Sequence, residues 1–175
     1  SYNNKRPLLK TDKFNGFIIG FNSCRPKSRG KIELSSNNFR DSPLIDPKYL
    51  DHEQDIHDLK CAFDIIRNIS NSKHIKNISD GALRIDPLNL SDEELIDHFK
   101  YEAGSVYHPC GTCRMDDNIL KGVVSKRLKV HGTRNLWIVD ASIFPNITSG
   151  NLNAPVMMTA YRASQLIIND LMNNK

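Results

Sequence analysis

The chain is poor in cysteine, nearly devoid of tryptophan and without any long apolar run. Its four cysteines, Cys24, Cys61, Cys110 and Cys113 among 175 residues, are too few and too unevenly spaced for a disulfide framework. That excludes a small cross-linked secreted scaffold and favours a reducing compartment. No stretch approaches the roughly 18 consecutive apolar residues that suggest a membrane span. No signal-peptide pattern opens the chain, so the expected location is the cytoplasm or the periphery of a membrane. A strong charge of one sign is missing too, because 24 Lys and Arg face 20 Asp and Glu for a net +4. No nucleic-acid partner follows from that balance. The one basic stretch, Arg25-Pro26-Lys27-Ser28-Arg29-Gly30-Lys31, has no interleaved aromatics for base stacking and reads as a solvated loop before an edge strand.

What is present suffices for a packed domain, with 39% hydrophobic and 25% charged residues. Phe14 to Phe21 reads as a strand relieved by glycines, and Ile32-Glu33-Leu34 as a short alternating strand. Asp41 to Tyr49, with Pro43 and Pro47, reads as an extended connector. A helix is expected from Asp51 to about Ser70, capped by Asp51, with Gln54 reaching back. Ile56, Leu59, Phe63 and Ile66 give it one apolar face, with Asp55, Asp58, Lys60 and Arg67 off that face. His52 and His57 read as surface residues there. Leu83-Arg84-Ile85 is a candidate strand. Ser91 with Glu94 is a capping box opening a short helix through Phe99, so the paired Glu93 and Glu94 serve its first turn.

Short strands are expected at Gly122-Val123-Val124 and Leu128 to Gly132. Leu136 to Val139 is a continuous apolar run of the kind covered on both faces. From Ala154 to about Met172 two apolar rows recur at helical spacing: Met157, Tyr161, Ser164, Ile168, Leu171, and Val156, Ala160, Ala163, Ile167. Pro155 suits the first turn, Asn153 can cap it, and the first half of this helix is expected to be buried.

Chemistry concentrates in Tyr107-His108-Pro109-Cys110-Gly111-Thr112-Cys113-Arg114-Met115 and in Ser149-Gly150-Asn151-Leu152-Asn153-Ala154-Pro155. The first holds a proline-stiffened histidine, the second two amides before a helix. Cys110 and Cys113 form a Cys-x-x-Cys, which can be a redox dithiol or half of a zinc site. The strand-turn-helix setting of the redox motif is not evident, and His108 raises the local ligand count only to three. No metal is assigned, and both thiols read as small buried groups. His131 reads as structural.

Taken together with Val123-Val124, Leu128-Lys129-Val130-His131-Gly132 and Val139-Asp140-Ala141-Ser142-Ile143, these motifs resemble, in order, the C-terminal region of the glucose–methanol–choline (GMC) oxidoreductases. The choline dehydrogenase and alcohol dehydrogenase branch is the most similar. Ser28-Arg29-Gly30-Lys31-Ile32-Glu33-Leu34 and Pro43-Leu44-Ile45-Asp46-Pro47 resemble the same family's substrate domain, so the likeness runs from about Pro26 to Ile168. One departure is Ser125-Lys126, where the family commonly has Asp-Pro.

The resemblance implies an FAD-dependent oxidation of a primary alcohol, choline being one candidate. His108 would accept the hydroxyl proton and Asn151 would be its hydrogen-bonding partner. Asp140 and Ala141 would lie against the ribityl–pyrophosphate part of FAD. Asn153, Ala154 and Pro155 would lie beneath the flavin ring, and Val106 and Tyr107 beside the substrate. The residue types agree: imidazole is a proton acceptor near neutrality, and a helix start offers free N–H groups to an anion. The architecture implied is α+β, a mostly antiparallel substrate-domain sheet with helices on one face over residues 1–132. Residues 133–175 would be a strand, turn and helix of an FAD-binding domain.

No Gly-x-Gly-x-x-Gly for the adenosine diphosphate half occurs here. The expected partners are therefore a small alcohol and a separate N-terminal FAD-binding portion of the same enzyme. Two alternatives stay open: a non-redox, hydroxynitrile lyase-like member of the same architecture, and a thiol or zinc module on Cys110 and Cys113.

Overall fold

Leu59 and Phe63 lie one turn apart on a single face of helix α1 (Glu53–Asn71), and both are buried. This is the face the apolar spacing specifies, with Ile56 and Ile66 half-buried at its edges. The computed structural model describes residues 15–82 and 85–173. These group into two units, one of residues up to Ser23 with His52–Val106, the other of Cys24–Asp51 with Tyr107 onward.

In the first unit α1 is followed by a single turn, α2 (Lys73–Lys76), and by α3 (Asp92–Glu102). The cap of α1 is His52 rather than Asp51, its Nδ1 accepting the Gln54 N–H at 3.0 Å. Asp51 instead faces Lys48 at 3.8 Å, and the Gln54 amide donates forward to Asp58. Asp55 is not off the packed face: it is buried, and it keeps an interaction partner there. Residues 15–21 are irregular where a strand was expected, and Phe14 lies outside the described residues. What fixes this segment is an aromatic contact, Phe21 stacked on Phe99 at 5.4 Å and edge-on to Phe63 at 5.9 Å. Of the candidate strand at 83–85, Leu83 and Arg84 lie outside the described residues and Ile85 is in no strand.

Arg67 projects from α1 as a clamp on the segment leading into α3. Its guanidinium donates to the carbonyls of Pro87 and Leu90, each at 3.0 Å, and to Asp92 at 2.8 Å. That hydrogen-bonded carboxylate holds the guanidinium charged. The capping box of α3 forms as expected: Ser91 Oγ accepts the Glu94 N–H, and Glu94 Oε2 accepts from the Ser91 N–H at 2.8 Å. Those bonds, the backbone one first, hold the Glu94 carboxyl below the usual glutamate range. A depressed folded-state value contributes stability above the unfolded pKa and loses it as pH falls through the folded one. Urea unfolding between pH 7 and pH 3 should therefore show a shallower acid loss in Glu94→Gln than in the parent. Parallel curves for the two proteins would mean that the box does not titrate with folding.

The second unit has little regular sheet. β1 (Lys31–Glu33) and β2 (Leu44–Asp46) pair antiparallel, with Ile32 opposite Ile45. The stretch read as a connector thus contains a strand, because Pro43 and Pro47 lie outside the ladder, where a missing N–H does no harm. Gly30 is required at this edge, since a Cβ there would run into the backbone of Asp46 and Pro47. The mostly antiparallel sheet expected from the sequence is otherwise reduced to isolated bridges: Met115 to Val124, Val124 to Val130, and Lys129 to Trp137. Leu136–Val139 is accordingly no strand covered on both faces. It makes one bridge, and Leu136 is half exposed. An apolar run records an affinity for cover without supplying the neighbouring strand.

The core of this unit is Val124, Leu128, Ile143 and Ala163, with Met115, Trp137 and Ile167 against it. Helix α4 (Asn153–Asn173) contributes through the row Val156, Ala163, Ile167. The other row is exposed, Met157 and Tyr161 by about two thirds. The expectation of a first half buried all round therefore fails within this chain. Asn153 is the first helical residue rather than the cap, and buried Leu152 precedes it. The coarse class is α+β. No described helix is long and apolar enough to cross a membrane.

Candidate active site around His108

The backbone around His108 is restrained from both sides. Pro109 disfavours the helical region for the residue before it. Tyr107 sits at φ +61°, in the left-handed region, a conformation that costs a non-glycine residue of order 1–3 kcal/mol and persists where the surroundings impose it. Gly111 follows at φ +88°, and a Cβ on it would stand 3.2 Å from the Phe144 carbonyl oxygen. The chain approaches that carbonyl closely only because no side chain intervenes.

Two backbone bonds then lash the segment to the stretch after Asp140. Cys113 N–H donates to Ser142 O at 2.9 Å, and Met115 N–H to Ile143 O at 2.8 Å. Ala141–Ile143 is a turn of 3₁₀ helix whose N-terminus is capped by Asp140, Oδ1 accepting the Ser142 N–H at 2.8 Å. The loop bearing His108 and the turn bearing Asp140 and Ala141 are therefore one hydrogen-bonded structure in one unit. His108 is half-buried and Tyr107 exposed; Val106, in the other unit, is also exposed.

Asn151 belongs to the same unit as His108 and is exposed, just before Leu152 and the start of α4. No hydrogen bond joins the two side chains. The loop leading to Asn151 is held by contacts that the sequence reading missed. Arg25 donates through Nε and Nη2 to Ser149 Oγ at 3.2 and 3.1 Å, and Arg29 Nη2 donates to Asn146 Oδ1. Both arginines are solvent-exposed, as a loop before an edge strand should be. Their partners lie 124 and 117 residues away, so nothing in the local sequence signalled them.

Cys110 and Cys113 carry no disulfide. Burial pushes the Cys110 thiol up and so disfavours the thiolate a redox or metal site needs, while the positive charge of Arg29 opposes that effect without overcoming it. Among the described residues no three His, Cys, Asp or Glu are grouped to hold a metal. His131 is structural: its Nε2 lies 2.8 Å from the Asp116 carbonyl and its N–H donates to Val123. Two surface concavities, one lined by Met115, Asp116, Asp117 and Lys126 and one by the Leu34–Pro43 loop, include neither His108 nor Asn151.

Whether these residues suit an FAD can be judged from their unmet donors. Val156 N–H already bonds to Leu152 O, Pro155 has none, and the N–H groups of Asn153 and Ala154 find no acceptor among the described residues. A helix of 21 residues thus presents two free donors and its positive end at an exposed start. Ser142 Oγ and Trp137 Nε1 are buried without a partner among the described residues. Such groups are costly to leave unmet. Free N–H donors at a helix start suit the polar side of a flavin.

The GMC oxidoreductase family profile matches residues 26–160. Over 158 residues the chain is 41% identical to an alcohol dehydrogenase (acceptor) of Pseudomonas putida, covering 87% of this chain and 28% of that protein. It is 35% identical to an oxygen-dependent choline dehydrogenase of Chromohalobacter salexigens, over 95% of this chain and 29% of the relative. An FAD-dependent oxidoreductase from Chaetomium thermophilum superposes with a TM-score of 0.78 at 27% identity, over 85% of this chain and 26% of the other. The chain belongs to the GMC oxidoreductase family and corresponds to its C-terminal domain. It spans less than a third of the length of the relatives it matches.

Proposed function

We propose that this chain is the substrate-side portion of an FAD-dependent enzyme that oxidises a primary alcohol to an aldehyde, with choline one candidate substrate. It would work joined to an N-terminal portion that holds the rest of FAD. Residues 1–132 would form the substrate side, and residues 133–175 would return to the cofactor domain. That domain would also cover Leu136–Val139 and the exposed row of α4. FAD, when bound, supplies the acceptor for the hydride leaving the alcohol carbon.

This chain's residues do the rest. An unprotonated imidazole nitrogen of His108 takes the hydroxyl proton, and the Asn151 amide donates to the same oxygen and orients it. The N–H groups of Asn153 and Ala154 place positive potential where negative charge gathers. Asp140 shapes the turn at Ala141, while Tyr107 borders the alcohol. The observation that supports this reading most is the pair of backbone bonds from Cys113 and Met115 to Ser142 and Ile143. They bring the histidine loop and the cofactor-side turn into register, although the two are far apart in sequence.

The test is spectroscopic. The chain alone should neither hold FAD through gel filtration nor oxidise alcohols. Assembled with its FAD-binding portion, it should bleach at the flavin band when an alcohol is added anaerobically. A flavin that binds but never bleaches with any alcohol would point to non-redox, lyase-type chemistry instead.

A further inference from the structure

The loop from Pro145 to Asn151 is nearly bare of internal support. Among the described residues no backbone-to-backbone hydrogen bond falls on residues 145–151, and the one local bond is Thr148 Oγ1 to Gly150 O at 2.9 Å. Yet this loop presents Asn151. What holds it from outside is the Arg25–Arg29 segment, through Arg25 to Ser149 and Arg29 to Asn146. Arg29 is itself braced, Nη1 donating to Pro26 O at 2.8 Å and Ser28 O at 2.9 Å. Its guanidinium is therefore fixed by its own turn before it reaches across. One rigid fork thus anchors the asparagine loop from outside. A lysine could supply the charge but not the fork.

Resting on the alcohol-oxidation reading above, we infer that Arg29, assisted by Arg25, is a positioning residue for catalysis: it fixes the Asn146–Asn151 loop so that the Asn151 amide meets the substrate oxygen. It touches neither substrate nor flavin. Its influence passes through Asn151 alone.

A double-mutant cycle in the FAD-loaded enzyme tests this. Arg29→Ala should lower kcat for the alcohol roughly 10- to 100-fold, the scale of a misplaced catalytic group. Flavin content and Tm should stay near those of the parent. Arg29→Lys should lose nearly as much, and Asn146→Ala, which removes the same contact from the loop side, should match it. In an Asn151→Ala background Arg29→Ala should cost nothing further, because the group it positions is gone. An Arg29 loss that persists in full in that background, or no loss in either Arg29→Ala or Asn146→Ala, overturns the inference. If Asn151→Ala alone leaves turnover intact, the assignment of the site itself has failed and this inference goes with it. Arg29→Lys and Asn146→Ala keep the test decisive if Arg29→Ala does not fold.

Discussion

Replacing His108 by Gln in the FAD-loaded enzyme should lower kcat roughly 10²- to 10⁴-fold, the range that positioned proton transfer supplies. Glutamine preserves size and a hydrogen-bonding end but cannot take a proton. KM for the alcohol should move far less, because the contact proposed for Asn151 is unchanged and loss of a transition-state role appears in kcat. The backbone argument makes the comparison clean. Tyr107 in its left-handed conformation, Pro109, and the close approach of Gly111 to Phe144 all remain in the variant, so the loop keeps its course. Anaerobic rapid mixing of alcohol with enzyme reads the flavin step directly. A variant reducing flavin within a fewfold of the parent would remove His108 from the role of base.

What could be read from the sequence follows a physical divide. Helices α1, α3 and α4 were legible because a helix writes its buried face into a window of its own residues. Leu59 with Phe63, Ser91 with Glu94, and Ala163 with Ile167 are each pairs separated by three or four. The sheet was legible only in part. The short strand read at Ile32-Glu33-Leu34 appears at Lys31–Glu33, and the Val124 to Val130 bridge joins two expected strands. A bridge such as Met115 to Val124, however, depends on which segments become neighbours. Caps fell between. A sequence offers both Asp51 and His52 before α1, and only the local backbone decides that the imidazole reaches the Gln54 N–H. On α4 the apolar rows were read correctly as rows, but periodicity cannot say which has its cover within this chain. The motifs around His108 and Asn151 stood out as residue types in order. The Arg25 and Arg29 contacts did not, since an exposed arginine looks the same in sequence whether or not a distant loop is hydrogen-bonded to it.

The second large effect is structural and falls on Ile143. It is 1% exposed at the centre of the cluster with Val124, Leu128 and Ala163, and its carbonyl accepts the Met115 N–H. Ile143→Ala should therefore cost about 2–5 kcal/mol, the lost transfer energy plus the cavity that the surrounding helix and turns cannot close. For a unit of this size that lowers Tm by roughly 10–30 °C, at several degrees per kcal/mol. Ile143→Val, which deletes one methylene, should cost only about 0.5–1.5 kcal/mol. Met157→Ala makes the contrast, because that side chain is two-thirds exposed and its removal opens no cavity in this chain. Denaturant unfolding of the three variants should rank them in that order. The consequence extends past stability: Ile143 closes the 3₁₀ turn to which the histidine loop is bonded, so loosening its packing should also raise hydrogen exchange at the Cys113 and Met115 amides. If Ile143→Ala unfolds no earlier than Met157→Ala, the core does not lie beneath the turn, and the support for tying the histidine loop to that turn through Cys113 and Met115 goes with it.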